Sequence, residues 1–139
     1  MKKVLLFVFM VSLLVTSYTQ AAQLDLAYVE HGRALFTGAA AFAGSVKPSG
    51  DERWALLEIR VHLDAASATS ENFTVTLDSV GGAAYDAVLF SQDTNAVTNL
   101  VWHPDLGRIF MPGDELDLAW TNTNTKTYGI EVIWGTYEK

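Results

Sequence analysis

The residues best equipped for chemistry are "VWHPDLGR", Val101 to Arg108, where an aromatic, an imidazole, a carboxylate and a guanidinium fall close together. Trp102 offers an indole face on which a sugar ring can stack. Asp105 and Arg108, with His103 beside them, offer polar groups that bond sugar hydroxyls. The stretch ends a strand, and loops at strand ends are where sandwich folds carry their sites. Trp54 begins another strand on its polar-facing parity, is expected to be the most exposed tryptophan, and completes the candidate ligand set. The competing reading is packing: Trp102 follows Leu100 at strand spacing, and a large aromatic at that period is ordinarily core. That reading is stronger still for Trp120 and Trp134.

Other chemistry is thinly represented. The chain has no cysteine, no strand-turn-helix nucleophile elbow, no phosphate-cradling glycine loop and no paired-histidine metal motif. His31, His62 and His103 stand in unrelated contexts. His62 alternates with Glu58, Arg60 and Asp64, so a solvated sheet face is preferred over a general-base role beside Glu58. Asp93 and Asn95 would supply two oxygens to a calcium ion that wants six to eight, too few for a site. Asn72-Phe73-Thr74 is a formal glycosylation sequon, a pattern that arises often by chance. No catalytic set, metal site or cofactor is expected.

The elements that must position these residues read as strands. From Trp54 to Ala65, Ala55, Leu57, Ile59, Val61 and Leu63 alternate with Glu58, Arg60, His62 and Asp64, the period of a half-buried strand. "ENFTVTLDS" repeats the pattern with Phe73, Val75 and Leu77 inward, and "SVGGA" turns the chain. Residues 84–90, "AYDAVLF", are apolar on both faces apart from Asp86 and read as a central strand. "VTNLVWH" and the short "IFMPGD" follow. The chain closes with two alternating runs joined by a Thr-Asn loop, read as a hairpin whose Asn residues tolerate left-handed backbone. Upstream, "QLDLAYVE" reads as a first strand. "RALFTGAAAFAGS" is preferred as a strand pair with close backbone approach, a short helix being the alternative. Short strands at this spacing predict an all-β fold, a single β-sandwich of eight or nine antiparallel strands arranged as a jelly roll, over residues 22–139.

Residues 1–21 have the layout of a secretory signal: Lys2 and Lys3, an apolar run from Val4 to Val15 broken only by Ser12, then small residues up to Ala21. The run is short for a spanning helix, so cleavage after Ala21 or Ala22 is favoured over an uncleaved anchor. The expected product is exported: extracellular, periplasmic or surface-displayed. Losing the two lysines leaves seven basic against sixteen acidic residues, a net charge of −9. Such a surface repels phosphate backbones and anionic lipid, which argues against nucleic-acid partners and, after signal removal, against membrane partners. An exported domain without disulfides must rely on packing, sheet pairing or oligomerisation.

"LGRIFMPGDELDLAW" followed by "TYGIEVIW" resembles the end of tumour-necrosis-factor-like jelly rolls, through a Gly113-Asp114 turn and a Tyr128-Gly129 pair in the last strand. The run from Trp54 onward is also similar to small β-sandwich proteins of phage virions, such as decorations and spikes. The resemblance implies non-enzymatic display or binding, commonly as trimers. The expected function is therefore a self-assembling structural module at a virion or cell surface, a homo-oligomer. The alternative is a carbohydrate-binding module or lectin whose partner is a glycan.

Overall fold

A computed structural model describes residues 30–105 and 108–137. The expected signal segment, and all but the last residue of the expected first strand, lie outside the described residues. Eight strands follow: β1 (Glu30–Gly38), β2 (Phe42–Val46), β3 (Trp54–Leu63), β4 (Asn72–Asp78), β5 (Ala87–Asp93), β6 (Asn99–Trp102), β7 (Glu115–Trp120) and β8 (Tyr128–Thr136), with one 3₁₀ turn at Ala83–Tyr85. They form two four-stranded antiparallel sheets, ordered β1-β8-β3-β6 and β2-β7-β4-β5. The all-β sandwich expected from the strand pattern is what forms.

Alternation builds the core. Ile59, Val61 and Leu63 of β3, Leu100 of β6, and Ile130 and Val132 of β8 face Phe73 and Val75 of β4 and Leu116, Leu118 and Trp120 of β7. Burying each such aliphatic or aromatic side chain is worth about 1.5–3 kcal/mol, which is how a chain without disulfides holds two sheets together. Within one sheet the chain connects consecutively only from β4 to β5; every other connection crosses the sandwich.

Three expectations are corrected. The closing pair is not a hairpin: β7 pairs with β2 and β4, β8 pairs with β1 and β3, and the Thr-Asn loop bridges the sheets. The Ala/Gly-rich stretch forms two strands as preferred, but β1 and β2 belong to opposite sheets. Residues 84–90 do not form a central strand. They begin with the 3₁₀ turn and continue into β5, an edge strand with no fully buried residue. An apolar run reads alike whether it is covered or merely at a boundary, so periodicity could not place it.

The glycines of β1 show close approach. A Cβ on Gly32 would fall inside the indole of Trp134, its cross-strand partner, and one on Gly38 would lie 2.6 Å from the Tyr128 hydroxyl. Gly32→Ala is therefore expected to push Trp134 off the core at a cost of about 2 kcal/mol, read as a lowered urea midpoint. An unchanged midpoint would mean the indole does not rest on Gly32.

Candidate functional site

The expected ligand set does not assemble. Trp54 is only 1 % exposed; its ring stacks on Phe110 at 4.5 Å between centroids, and the two residues exchange backbone hydrogen bonds. It cannot serve as an exposed platform. The cause is a β-bulge at Leu57: Leu56 lies opposite Trp134 and Glu58 opposite Ile133, so one residue is unpaired. A one-residue offset exchanges the faces of a strand. Ile59, Val61 and Leu63 keep the inward parity read from the pattern, whereas upstream of the bulge Trp54 and Leu56 turn inward.

Trp102 is half-buried and stacks on Phe90 at 4.7 Å and 19°. Its partner sits on the edge strand of the opposite sheet, so the pair closes one flank of the sandwich, packed against the core and not within it. His103, Asp105 and Arg108 are exposed. The Arg108 N–H donates to the Asp105 carbonyl at 3.4 Å, a turn contact in which neither side chain takes part. His103 instead lies near Glu58, whose carboxylate feels its charge.

A different cluster occupies the outer face of the β1-β8-β3-β6 sheet. Register places Leu35, Glu131, Arg60 and Val101 in one row across the four strands, and Thr37, Gly129, His62 and Asn99 in the next. Arg33 donates to Glu131 at 3.2 Å, Arg60 donates to Glu131 at 3.2 Å, and Arg60 also forms a forked pair with Glu58. The Arg60 hydrogen bond, helped by the charges of Arg60 and His103, holds Glu58 below the usual carboxylate range despite partial desolvation. Glu58 and Glu131 raise Arg60 in turn. His62 Nδ1 lies 2.7 Å from Asn99 Oδ1. Beside this ladder is an open concavity of about 510 Å³ whose rim includes Leu35, Thr37, His62 and Val101. The solvent-facing parity of Arg60 and His62 was legible in sequence. The neighbours Arg33, Asn99, Gly129 and Glu131 were not, because pairing between distant strands decides them.

Carboxylates also tie the loops at each end of the sandwich. At one end Glu71 accepts from the Thr123 N–H and hydroxyl, and Asp93 accepts from Ser70 Oγ at 2.6 Å and from the N–H groups of Asn95 and Glu71. The Thr123 hydroxyl holds Glu71 low and the Ser70 hydroxyl holds Asp93 low, each followed by backbone N–H donors. Because both folded values are depressed, their stabilisation is full above the unfolded values near pH 4 and is lost as pH falls through the folded values. Glu71→Gln with Asp93→Asn should flatten the acid limb of a stability–pH curve; an unaltered limb would show that these bonds hold no stability.

At the other end Asp114, buried, accepts from the N–H groups of Val80 (2.9 Å) and Met111 (2.8 Å) and from Ser79 Oγ. This locks the β4–β5 connection against the turn before β7. Asp117, out on that sheet, is raised by desolvation and by the charges of Glu115, Asp78 and Asp86. Among the described residues no group of three or more His, Asp or Glu side chains is placed to hold a metal ion.

No protein-family model matches the chain, and no curated protein matches it.

Proposed function

We propose that this chain is a jelly roll that serves as a non-enzymatic, exported structural module, assembling with copies of itself at a virion or cell surface as a decoration, spike or fibre subunit. The strand orders support the topology. β1 lies beside β8, β2 beside β7, β3 beside β6 and β4 beside β5, with alternate pairs in opposite sheets. That is one long folded-over ribbon rolled into a sandwich, the arrangement that gives two Greek keys.

The observation that carries the assembly reading is where the apolar surface lies. Among the described residues, five of the seven exposed large apolar side chains belong to the β4–β5 connection, β5 and the segment before β7: Val80 (63 % exposed), Tyr85 (68 %), Val88 (65 %), Ile109 and Met111. Single exposed apolar residues need no explanation, whereas several drawn from these neighbouring segments support reading them as a contact surface. Asp114 fixes Val80 and Met111 in place, so the surface is preorganised. β5 adds a strand edge that is unpaired among the described residues, carrying Val88, Leu89 and Phe90 with no Lys or Pro to blunt it.

The test is the mass of the purified protein by light scattering behind a sizing column. A trimer or longer polymer is expected, and Tyr85→Glu, an exposed position, should dissociate it without lowering the melting temperature. A strictly monomeric wild type at high concentration would overturn the reading.

A further inference from the structure

Gly129 sits in β8, a central strand, where glycine costs about 0.5–1 kcal/mol relative to alanine. A glycine inside a strand ordinarily has a packing or backbone reason, and several glycines of this fold have one. A Cβ on Gly32, Gly38 or Gly44 would strike Trp134, Tyr128 or Phe42, and Gly113 has a left-handed φ of 93°. Gly129 has neither: its φ is not left-handed, and a Cβ built there meets nothing within 4 Å. What its missing side chain does is leave room in the concavity on the outer face of the β1-β8-β3-β6 sheet, which Gly129 itself lines. Close approach of a ligand to the backbone is one of the reasons for a glycine inside a strand.

The chemistry around the space selects the visitor. Its volume of about 510 Å³ lies within the roughly 300–1,000 Å³ of small-molecule sites. Leu35 and Val101, 61 % and 57 % exposed, stand on its two flanks as aliphatic walls. Between these walls Arg60 and Glu131 line the space as an ion pair at 3.2 Å, with Arg33 and Glu58 as their further partners outside it. One cation against one carboxylate leaves no net charge in the lining to attract an ion of either sign. A wholly apolar ligand would desolvate the ladder with nothing in exchange.

A ligand with both C–H surface and several hydroxyls suits every wall. Arg60 and Glu131 offer planar polar groups, and His62 offers one defined atom. Asn99 Nδ2 donates to Thr98 Oγ1 at 3.2 Å and Asn99 Oδ1 lies 2.7 Å from His62 Nδ1, an arrangement in which Nδ1 is the donor. In the neutral imidazole, Nε2 is then an acceptor. We infer that the concavity over Gly129 is a binding site for a neutral saccharide, its ring lying over Gly129 between Leu35 and Val101 and its hydroxyls meeting His62, Arg60 and Glu131. This site is separate from the Trp102 loop and goes beyond the assembly role, which uses the opposite sheet's edge.

The experiment is an amide-resolved NMR titration of the purified protein with glucose, galactose, mannose, N-acetylglucosamine and glucuronate. At least one neutral sugar should shift the amides of Thr37, His62 and Gly129. Gly129→Val, whose Cβ would meet nothing within 4 Å, should weaken that binding about tenfold or more, roughly 1.4 kcal/mol, while leaving the melting temperature unchanged or higher. His62→Ala, at an exposed position, should weaken it as well. No response from these amides to any sugar, equal binding by Gly129→Val, or a marked preference for glucuronate would each overturn the proposal. So would a protein whose mass, rather than sugar binding, responds to Gly129→Val, since the space would then belong to a contact between copies. A monomeric wild type that binds sugar would refute the assembly reading and leave this one standing.

Discussion

Trp54→Ala is expected to destabilise the sandwich by about 3–5 kcal/mol, measured by urea unfolding followed by circular dichroism. Trp54 is among the largest fully buried side chains, and its removal would empty the space against Phe110 and strip that ring of its stacking partner. Among the described residues the indole Nε1 has no acceptor, so the position uses the ring's bulk and not its N–H. Trp54→Phe should therefore cost half the alanine figure or less, because it keeps an aromatic face and removes an unsatisfied donor. Trp102→Ala should also cost less than Trp54→Ala, since Trp102 is half-buried on a flank. A Trp54→Ala midpoint close to wild type would mean that the Leu57 bulge, and the inward turn it gives Trp54, are wrong.

The same bulge marks how far the sequence could be read. From Ile59 to Leu63 the alternation and the burial agree residue by residue, as they do for Phe73 and Val75 and for Leu116, Leu118 and Trp120. A period of two is a local property of the strand and survives into the fold. A bulge is a relation between β3 and β8, which lie some seventy residues apart, and nothing in "WALLEIRVHL" announces it. The closing segment failed for the same reason. β7 and β8 are adjacent in sequence with a turn-rich loop between them, and only their registers with β2 and β1 reveal that they lie in different sheets. β5 shows the converse: its apolar composition suggested a central strand, but position in the sheet order decides exposure, and β5 is at the edge.

The candidate sites follow that division. His62 and Arg60 were legible as solvent-facing, yet what makes their surroundings a site is the row Thr37, Gly129, His62, Asn99, drawn from four strands. In sequence Gly129 is one glycine after an aromatic. Its significance appears only when each glycine is asked what a side chain would strike. The expected Trp102 loop was, by contrast, a sequence neighbourhood, and proximity along the chain did not become convergence in space: Trp102 turns inward while His103, Asp105 and Arg108 stay out.

Because nearly every connection crosses from sheet to sheet, the loops carry structural duty, and Asn122 carries the most. It is 2 % exposed with a left-handed φ of 45°. Its Nδ2 donates to the carbonyls of Ala39 and Ala40, in the β1–β2 crossing, at 3.1 Å each, and to the Lys126 carbonyl at 2.9 Å, while its Oδ1 accepts from the Lys126 N–H at 2.8 Å. One amide thus staples two crossings together. Asn122→Ala should cost about 2–3 kcal/mol, since the part-buried carbonyls of Ala39, Ala40 and Lys126 and the Lys126 N–H all lose their partner at once. Asn122→Gly keeps the backbone freedom and should recover only the smaller, conformational part. Asn122→Asp separates charge from shape: it keeps the acceptor for Lys126 but directs a carboxylate at three carbonyl oxygens. That repulsion and burial raise its folded pKa above the unfolded value of about 3.9. The penalty is then full above the folded pKa and is relieved as pH falls toward the unfolded one. Asn122→Asp should accordingly gain stability relative to wild type on acidification, over the range in which wild type loses what Glu71 and Asp93 provide. Parallel acid limbs for the two proteins would show that the amide is not the staple between the crossings.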